Sequence, residues 1–366
     1  MNRALVRQQG LSLVEVMIAV AIGMFLLLGL SSLLVANSQT SQELNKTGSQ
    51  IENGRFAIQL LSDDIHLAGF LGTYAPTGAT WTIPTDPCAT ALANLGFSNK
   101  LSPVVSATVT VPVAIHGYAG ADALPASCAA VVTNRLAGTG VLIVRRVSTT
   151  SIAATAAPAY PYMQISNCPD ATIDTVPFVF DTDKTKFTLT QKDCLSTNLV
   201  PVREYLVHIY YVSSCSDCTA NDGIPTLKSA EFKSGVFTTS SLVEGIENMQ
   251  LDYGIDMDGD GAVDCYTSNP TAPPDKEVNP TLFPASACPQ TATPYVWTAA
   301  ITNWSNVMAV RVNLLARNLE PSTGWADNRT YDMGLTGTIA ATNDAYKRHV
   351  YSTVVRLYNI SGQREK

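Results

Sequence analysis

Charged residues are scarce in this 366-residue chain, at 14%, whereas apolar ones reach 46%. That balance excludes a solvated, disordered polymer and leaves a folded chain of about two ordinary domains' length. Basic stretches are scarcer still. Net charge is −7, and the pair Arg145-Arg146 is too little to form a phosphate-binding stripe, so nucleic acid is not an expected partner. The four histidines, His66, His116, His208 and His349, are scattered. His208, inside an apolar run, reads as a core or surface residue rather than a base, and the acid pair Asp63-Asp64 reads as solvated charge on a helix. Nucleophile elbows, phosphate-binding loops and HExxH motifs are missing, so no catalytic constellation is present and an enzyme is not expected. The absence of internal repeats excludes a solenoid.

What the chain does have is one long apolar run. Val16 to Ala36 reads VMIAVAIGMFLLLGLSSLLVA, 21 residues without a charge. At ~1.5 Å per helical residue this is about 30 Å, enough to cross a bilayer. Arg3 and Arg7 lie in the first ten residues, Met1 to Gly10, with no acid among them, which keeps the start cytoplasmic and sends the bulk of the chain across the membrane. The apolar core of a secretory signal is shorter, about 7–15 residues, although Ser31, Ser32 and Ala36 leave cleavage after the run as an alternative. Glu15 is the anomaly. Near the middle of a helix in lipid an acid costs roughly 2.5–3.5 kcal/mol, so this one must either stay wet at the interface or meet a cation.

The string Gln9-Gly10-Leu11-Ser12-Leu13-Val14-Glu15, between a short basic leader and a long apolar helix, resembles the class III signal of type IV prepilins and type II secretion pseudopilins. The resemblance implies cleavage by a prepilin peptidase between Gly10 and Leu11, and N-methylation of Leu11. It also implies that Glu15, fifth in the mature chain, pairs with the N-terminal amine of a neighbouring subunit. Leu11 departs from the usual phenylalanine or methionine. A buried carboxylate facing an ammonium in low dielectric is physically tolerable.

Past Ala36 the sequence turns polar but stays compatible with helix, and Leu44, Ile51, Ile58 and Ile65 recur every seven residues beside Phe56, Leu61 and Ala68. That spacing predicts one continuing helix with a docked face, weakened at Gly48 and Gly54 and ended by Gly69 to Gly72. Strands are expected at Val141–Val147, Phe187–Gln191, Tyr205–Val212, Met249–Ile255, Val307–Ala316 and Val350–Tyr358, the last two alternating as if one face were wet. Residues 74–140, 148–186 and 265–305 read as loop-rich.

All eight cysteines (Cys88, Cys128, Cys168, Cys194, Cys215, Cys218, Cys265 and Cys288) follow the apolar run, and an even number beyond a membrane reads as disulfides. Pairing in sequence order is the simplest of 105 connectivities, among which sequence does not decide. Cys215-Ser216-Asp217-Cys218 also fits a redox motif or half of a zinc site, but no second CxxC completes the latter, and the setting favours a structural bridge. The sharpest local motif is Asp256-Met257-Asp258-Gly259-Asp260-Gly261-Ala262-Val263-Asp264. Asp256, Asp258, Asp260 and Asp264 occupy positions 1, 3, 5 and 9 of a calcium loop, with glycine at 6 and the Ala262 carbonyl at 7. Position 12 is Thr267 rather than glutamate, and Asp252, Asp275 and Glu277 are substitutes of non-standard spacing. Calcium is the expected cofactor, since four converging carboxylates repel without a cation; the alternative is a solvated Asp-Gly turn.

Residues 53–72, 242–261 and 348–360 further resemble minor pilins of the PilW type. This implies an α+β fold, a long N-terminal helix packed on an antiparallel sheet, with loop-rich disulfide-bonded insertions. The expected parts are a leader (1–10), a transmembrane and assembly helix (11–36), a docked amphipathic helix (37–72) and a β-rich periplasmic or extracellular domain (73–366). The implied function is a structural subunit of type IV pilus assembly in a priming or tip complex. Its implied partners are other minor pilins, the major pilin, the inner-membrane assembly platform and a tip adhesin. A type II secretion pseudopilin remains an alternative, as does a membrane-anchored calcium-dependent adhesin that never polymerises.

Overall fold

The computed structural model describes residues 12–76, 79–100, 108–271, 288 and 296–365. The fold is α+β, with a long N-terminal helix, antiparallel sheets and four disulfides. The chain divides into two compact units, Met1–Ser49 and Gln50–Lys366. The helix α1, Leu13–Leu67, contributes to both. In the first unit it is an apolar rod. Its most apolar stretch buries no side chain, and Phe25 and Leu34 are among the most exposed large residues of the chain.

In the second unit α1 lies against two antiparallel sheets. The larger has the strand order Val236–Glu244, Thr226–Lys233, Arg203–Ser213, Val141–Val147, Ile115–Tyr118, and Tyr162–Ile165 with Phe178–Asp181 branches from Arg203–Ser213. The smaller has the order Cys265–Thr267, Ile246–Ile255, Val307–Arg317, Arg348–Arg356. Ala57, Leu61, Ile65 and Ala68 join Leu142, Val144 and Val212 of the first sheet and Leu251, Val310 and Leu314 of the second in one core.

The docked stripe of α1 is Gln50, Gly54, Ala57, Leu61, Asp64 and Ile65; of the expected face, Leu61, Ile65 and Ala68 are buried and Ile58 packs against the core, whereas Leu44 is exposed. Ile51 and Phe56 are exposed. The reason is close approach: a Cβ on Gly54 would stand 2.2 Å from the ring of Tyr351. Gly54 is therefore a contact point rather than a weak spot, and the helix stays unbroken through it and Gly48. Polar groups fix the register, with Gln50 Nε2 donating to the Ala316 and Lys347 carbonyls and Asn53 Nδ2 to the Glu244 carbonyl. Beyond Leu67 the chain turns at Gly69, whose positive φ of 72° suits glycine and whose N–H reaches the Arg145 carbonyl.

Strands form at five of the six expected places. Phe187–Gln191 is not one, keeping only an isolated bridge from Thr190 to Leu199. Strands also form within the stretches read as loop-rich, at Thr80–Thr82, Ile115–Tyr118 and Tyr162–Ile165. Val307–Arg317 has no wet face. Arg311 is buried against the Tyr266 ring and beside Asp252, and Asn313 is buried beneath the segment around Met333, its Nδ2 donating to the Met333 carbonyl and to Asp252 Oδ2. Gly334, at φ +81°, makes this cover possible, since a Cβ there would lie 2.3 Å from Asp252 Oδ2.

The disulfides join Cys88–Cys128, Cys168–Cys194, Cys215–Cys218 and Cys265–Cys288. Each closes its own loop, and none encloses another. The second sheet carries a further clasp. Arg348 makes bidentate hydrogen bonds to Glu247 (2.5 and 3.0 Å) and Asp344 (2.7 and 2.7 Å), and its Nη1 reaches the fully buried Asp327 at 3.0 Å. The excursion between Arg317 and Arg348 is thus tied at its root by charge.

Candidate functional site

Gly10 and Leu11 lie outside the described residues. Glu15 is described, and its carboxylate accepts the Ser12 N–H at 3.1 Å while Ser12 Oγ accepts the Val14 N–H at 3.2 Å. This is a reciprocal helix cap, legible as Ser-x-x-Glu, that sequence reasoning overlooked. It gives the acid a local partner at the helix start, where the dipole also favours a negative charge.

The acidic loop leaves the end of the strand Ile246–Ile255. Asp256, Asp258 and Asp260 can bring carboxylate oxygens within 4.8 Å of one another. Gly259 and Gly261, both at φ +86°, let the backbone fold around Asp256, which is fully buried and accepts the N–H groups of Gly259 (2.6 Å) and Gly261 (3.1 Å). Asp264 turns instead to the Met257 N–H at 2.6 Å. A positive charge already faces the loop. Arg364 Nη1 lies 3.1 Å from Asp256 Oδ2, held by the Asn306 side chain and the Ser305 carbonyl, and Arg356 donates to the Gly261 carbonyl.

Three of the five expected ligands are thus brought together. Ala262 stays in the loop, where its N–H donates to Asp260. Thr267 is buried in the strand Cys265–Thr267, and its hydroxyl donates to the Asn269 carbonyl. Asp252 is committed to Arg311, Asn313 and the Leu335 N–H, and burial outweighs those partners and pushes its carboxyl up to about 6. Asp275 and Glu277 lie outside the described residues. The second acid group near cysteines, Asp86 with Cys88 and Cys128, has its sulfurs in a disulfide.

Sequence reasoning misjudges Asp64. Only its neighbour Asp63 is solvent-facing; Asp64 is buried and receives Arg146 Nε (2.9 Å), His208 Nδ1 (2.6 Å) and Tyr210 OH (3.0 Å) from two adjacent strands. Burial opposes its ionisation, but the His208 hydrogen bond and charge, followed by Arg146, hold its carboxyl below the usual range. Burial likewise opposes the His208 cation, yet hydrogen bonds to Asp64 and Glu231 and the charge of Asp64 raise it to about 9. The group is a charged pin between helix and sheet. Nothing in the local pattern marks Asp64 over Asp63 except its place on the stripe with Ala57, Leu61 and Ile65.

Residues 209–359 match the family model described as Type IV Pilus-assembly protein W, and residues 5–31 match the prokaryotic N-terminal methylation motif. The first match runs from within the strand Arg203–Ser213 through the whole smaller sheet. Among solved structures, a type IV-like pilin from Thermus thermophilus is similar at 15% identity and a TM-score of 0.23, covering 43% of this chain and 70% of that one. No curated protein matches. The methylation motif and apolar helix form a single-pass inner-membrane anchor with the C-terminal domain in the periplasm. The methylation motif at the start of the chain and the match to the Type IV Pilus-assembly protein W model over residues 209–359 together support a minor pilin of the PilW type in type IV pilus assembly.

Proposed function

We propose that the chain is a structural rather than catalytic subunit of a priming or tip complex, cut by prepilin peptidase after Gly10 and stored in the inner membrane until assembly. The observation that carries this reading is the methylation motif running directly into an apolar helix with exposed side chains. One helix then serves two environments, because the surface that meets lipid can also meet neighbouring helices in a fibre. On this reading Glu15 exchanges the Ser12 N–H for the N-terminal amine of an adjacent subunit. Other minor pilins, the major pilin, the assembly platform and a tip adhesin are the partners that this role requires.

Mass spectrometry of fibres sheared from cells tests it. The expected result is a methylated peptide beginning at Leu11 in the fibre fraction. An uncut Met1–Gly10 leader overturns the reading, and a cut chain confined to the membrane replaces a fibre subunit with a pseudopilin-like one.

We further propose that the Asp256–Asp264 loop takes calcium, supported by the three convergent carboxylates and the two glycine turns. Calcium would be held by Asp256, Asp258 and Asp260, with Arg364 withdrawing from Asp256. Weak extracellular sites have dissociation constants of roughly 10⁻⁴–10⁻³ M, so millimolar calcium is expected to raise the melting temperature by a few degrees. A melting curve of the full chain in detergent that is identical in chelator and in millimolar calcium counts against the site.

A further inference from the structure

The Cys215–Cys218 bridge differs from the other three in its surroundings. It closes the shortest loop, with a sequence separation of 3 against 23 to 40, so chain entropy gains least from it. It also has a cation on one sulfur. Lys228, buried on the neighbouring strand Thr226–Lys233, places Nζ 3.4 Å from Cys218 Sγ and 3.0 Å from the Ser216 carbonyl. The Ser213 hydroxyl lies 3.8 Å from Cys215 Sγ and 3.7 Å from Cys218 Sγ. Cys215 is buried and Cys218 is half-buried, so the sulfur beside the ammonium is also the more reachable one.

An ammonium and a hydroxyl aimed at one sulfur favour its thiolate, and the thiolate is the reactive form in disulfide exchange. The carboxylates around this loop make their hydrogen bonds elsewhere, and only the charge of the exposed Asp217 reaches Lys228 among them. Asp217 accepts the N–H groups of Thr219 and Ala220, Asp222 those of Ser216, Asp217 and Ile224, and Glu244 the Ser216 hydroxyl. Arg317 reaches the Gly223 carbonyl on the far side of the loop. Lys228 is the cation that touches sulfur.

We propose that Cys215–Cys218 is a thiol–disulfide exchange site for an external dithiol, with Cys218 as the entry sulfur and Lys228 holding its thiolate. A thiolate of the dithiol attacks Cys218 Sγ. The Cys215–Cys218 bond breaks, and its electron pair goes to Cys215 Sγ, which takes a proton from water. The reagent's second thiolate then attacks its own first sulfur and expels Cys218 as a thiolate beside Lys228. The protein disulfide gains two electrons, and the dithiol leaves as a disulfide. The reverse sequence reoxidises the pair.

Cys168–Cys194 is the internal control, because both of its cysteines are half-buried like Cys218 and, among the described residues, its sulfurs lie beside carbonyls, of Asp170 and Lys192, with no cation on them. The full chain in detergent is titrated with dithiothreitol, quenched, alkylated and digested, and each cysteine is quantified by mass spectrometry. Cys215–Cys218 is expected to open at a dithiothreitol concentration at least about tenfold lower than Cys168–Cys194. In the opened protein, Lys228→Met should raise the pH midpoint of Cys218 alkylation by about one unit, and Lys228→Arg should restore it. Opening together with or after the control overturns the proposal without recourse to any variant, and an unchanged alkylation profile in Lys228→Met removes Lys228 from it.

Discussion

Replacing Asp64 by Asn lowers the unfolding free energy of the Gln50–Lys366 unit at pH 6 by on the order of 3–5 kcal/mol, and the deficit shrinks at pH 9 and above. The size follows from what is left behind. Asn keeps the shape but not the charge, so Arg146 and His208 lose the carboxylate that pairs them in a buried setting. The pH dependence follows from His208, whose folded value of about 9 lies above its ordinary 6.5. A raised value means that the folded state holds the proton more tightly. The resulting stability, of order 3 kcal/mol, is complete below pH 6.5 and is lost as pH rises through 9. Without Asp64 that alkaline loss largely disappears.

His116 has the opposite sign. Burial and then the charge of Arg145 press it down to about 3, so its contribution is lost as pH falls from 6.5 toward 3, equally in both proteins. Urea unfolding of wild type and variant at pH 6 and pH 9 decides the matter, and an equal difference at the two values sinks the Asp64–His208 coupling.

Arg348→Met is the second large effect, again on the order of 3–5 kcal/mol. Methionine fills much of the same space, yet it abandons Asp327, which has no exposure and then keeps only the Tyr331 hydroxyl and Arg329 as partners. Asp344 is hit differently. The Arg348 hydrogen bonds lead in lowering its carboxyl to about 2, a stabilisation present above the ordinary 3.8 and lost as pH falls through 2, and this acid-limb loss should shrink in the variant, where the Tyr346 N–H and Thr342 remain. Untying the root of the 318–347 excursion also exposes it to protease. Thermal unfolding with limited proteolysis checks both, and a variant that melts within about a degree of wild type with no new cleavage there defeats the clasp.

The rod-like start, the turn at Gly69 and the central strands were legible because each rests on a local signal: an uncharged run, a glycine, or a dense apolar stretch. The docked face of α1 was legible only at its far end, at Leu61, Ile65 and Ala68. Large residues attract attention in a periodicity, but this helix docks through Gly54 and Ala57, and only the position of the Tyr351 ring explains why. The hairpin Thr226–Lys233 and Val236–Glu244 also escaped notice, since its strands are rich in Ser, Thr and Lys. Its one clear mark is the Ser234-Gly235 turn, with both φ values positive. Arg311, Asn313 and Asp64 share one cause of misreading: polar residues were assigned to water when a segment distant in sequence covers them. In the acidic loop the spacing found the carboxylates, while Arg364, far along the chain, carries no sequence mark.

The order of the four disulfides bears on how the domain is made. A chain anchored by its start and delivered progressively into an oxidising compartment exposes its thiols one after another. Here each odd-numbered thiol finds its partner in the very next one to emerge, from Cys88 with Cys128 to Cys265 with Cys288. Oxidation in order of arrival would therefore give the native connectivity without any shuffling, a pattern that allows a subunit held at the membrane to be bridged while its last segment is still being delivered.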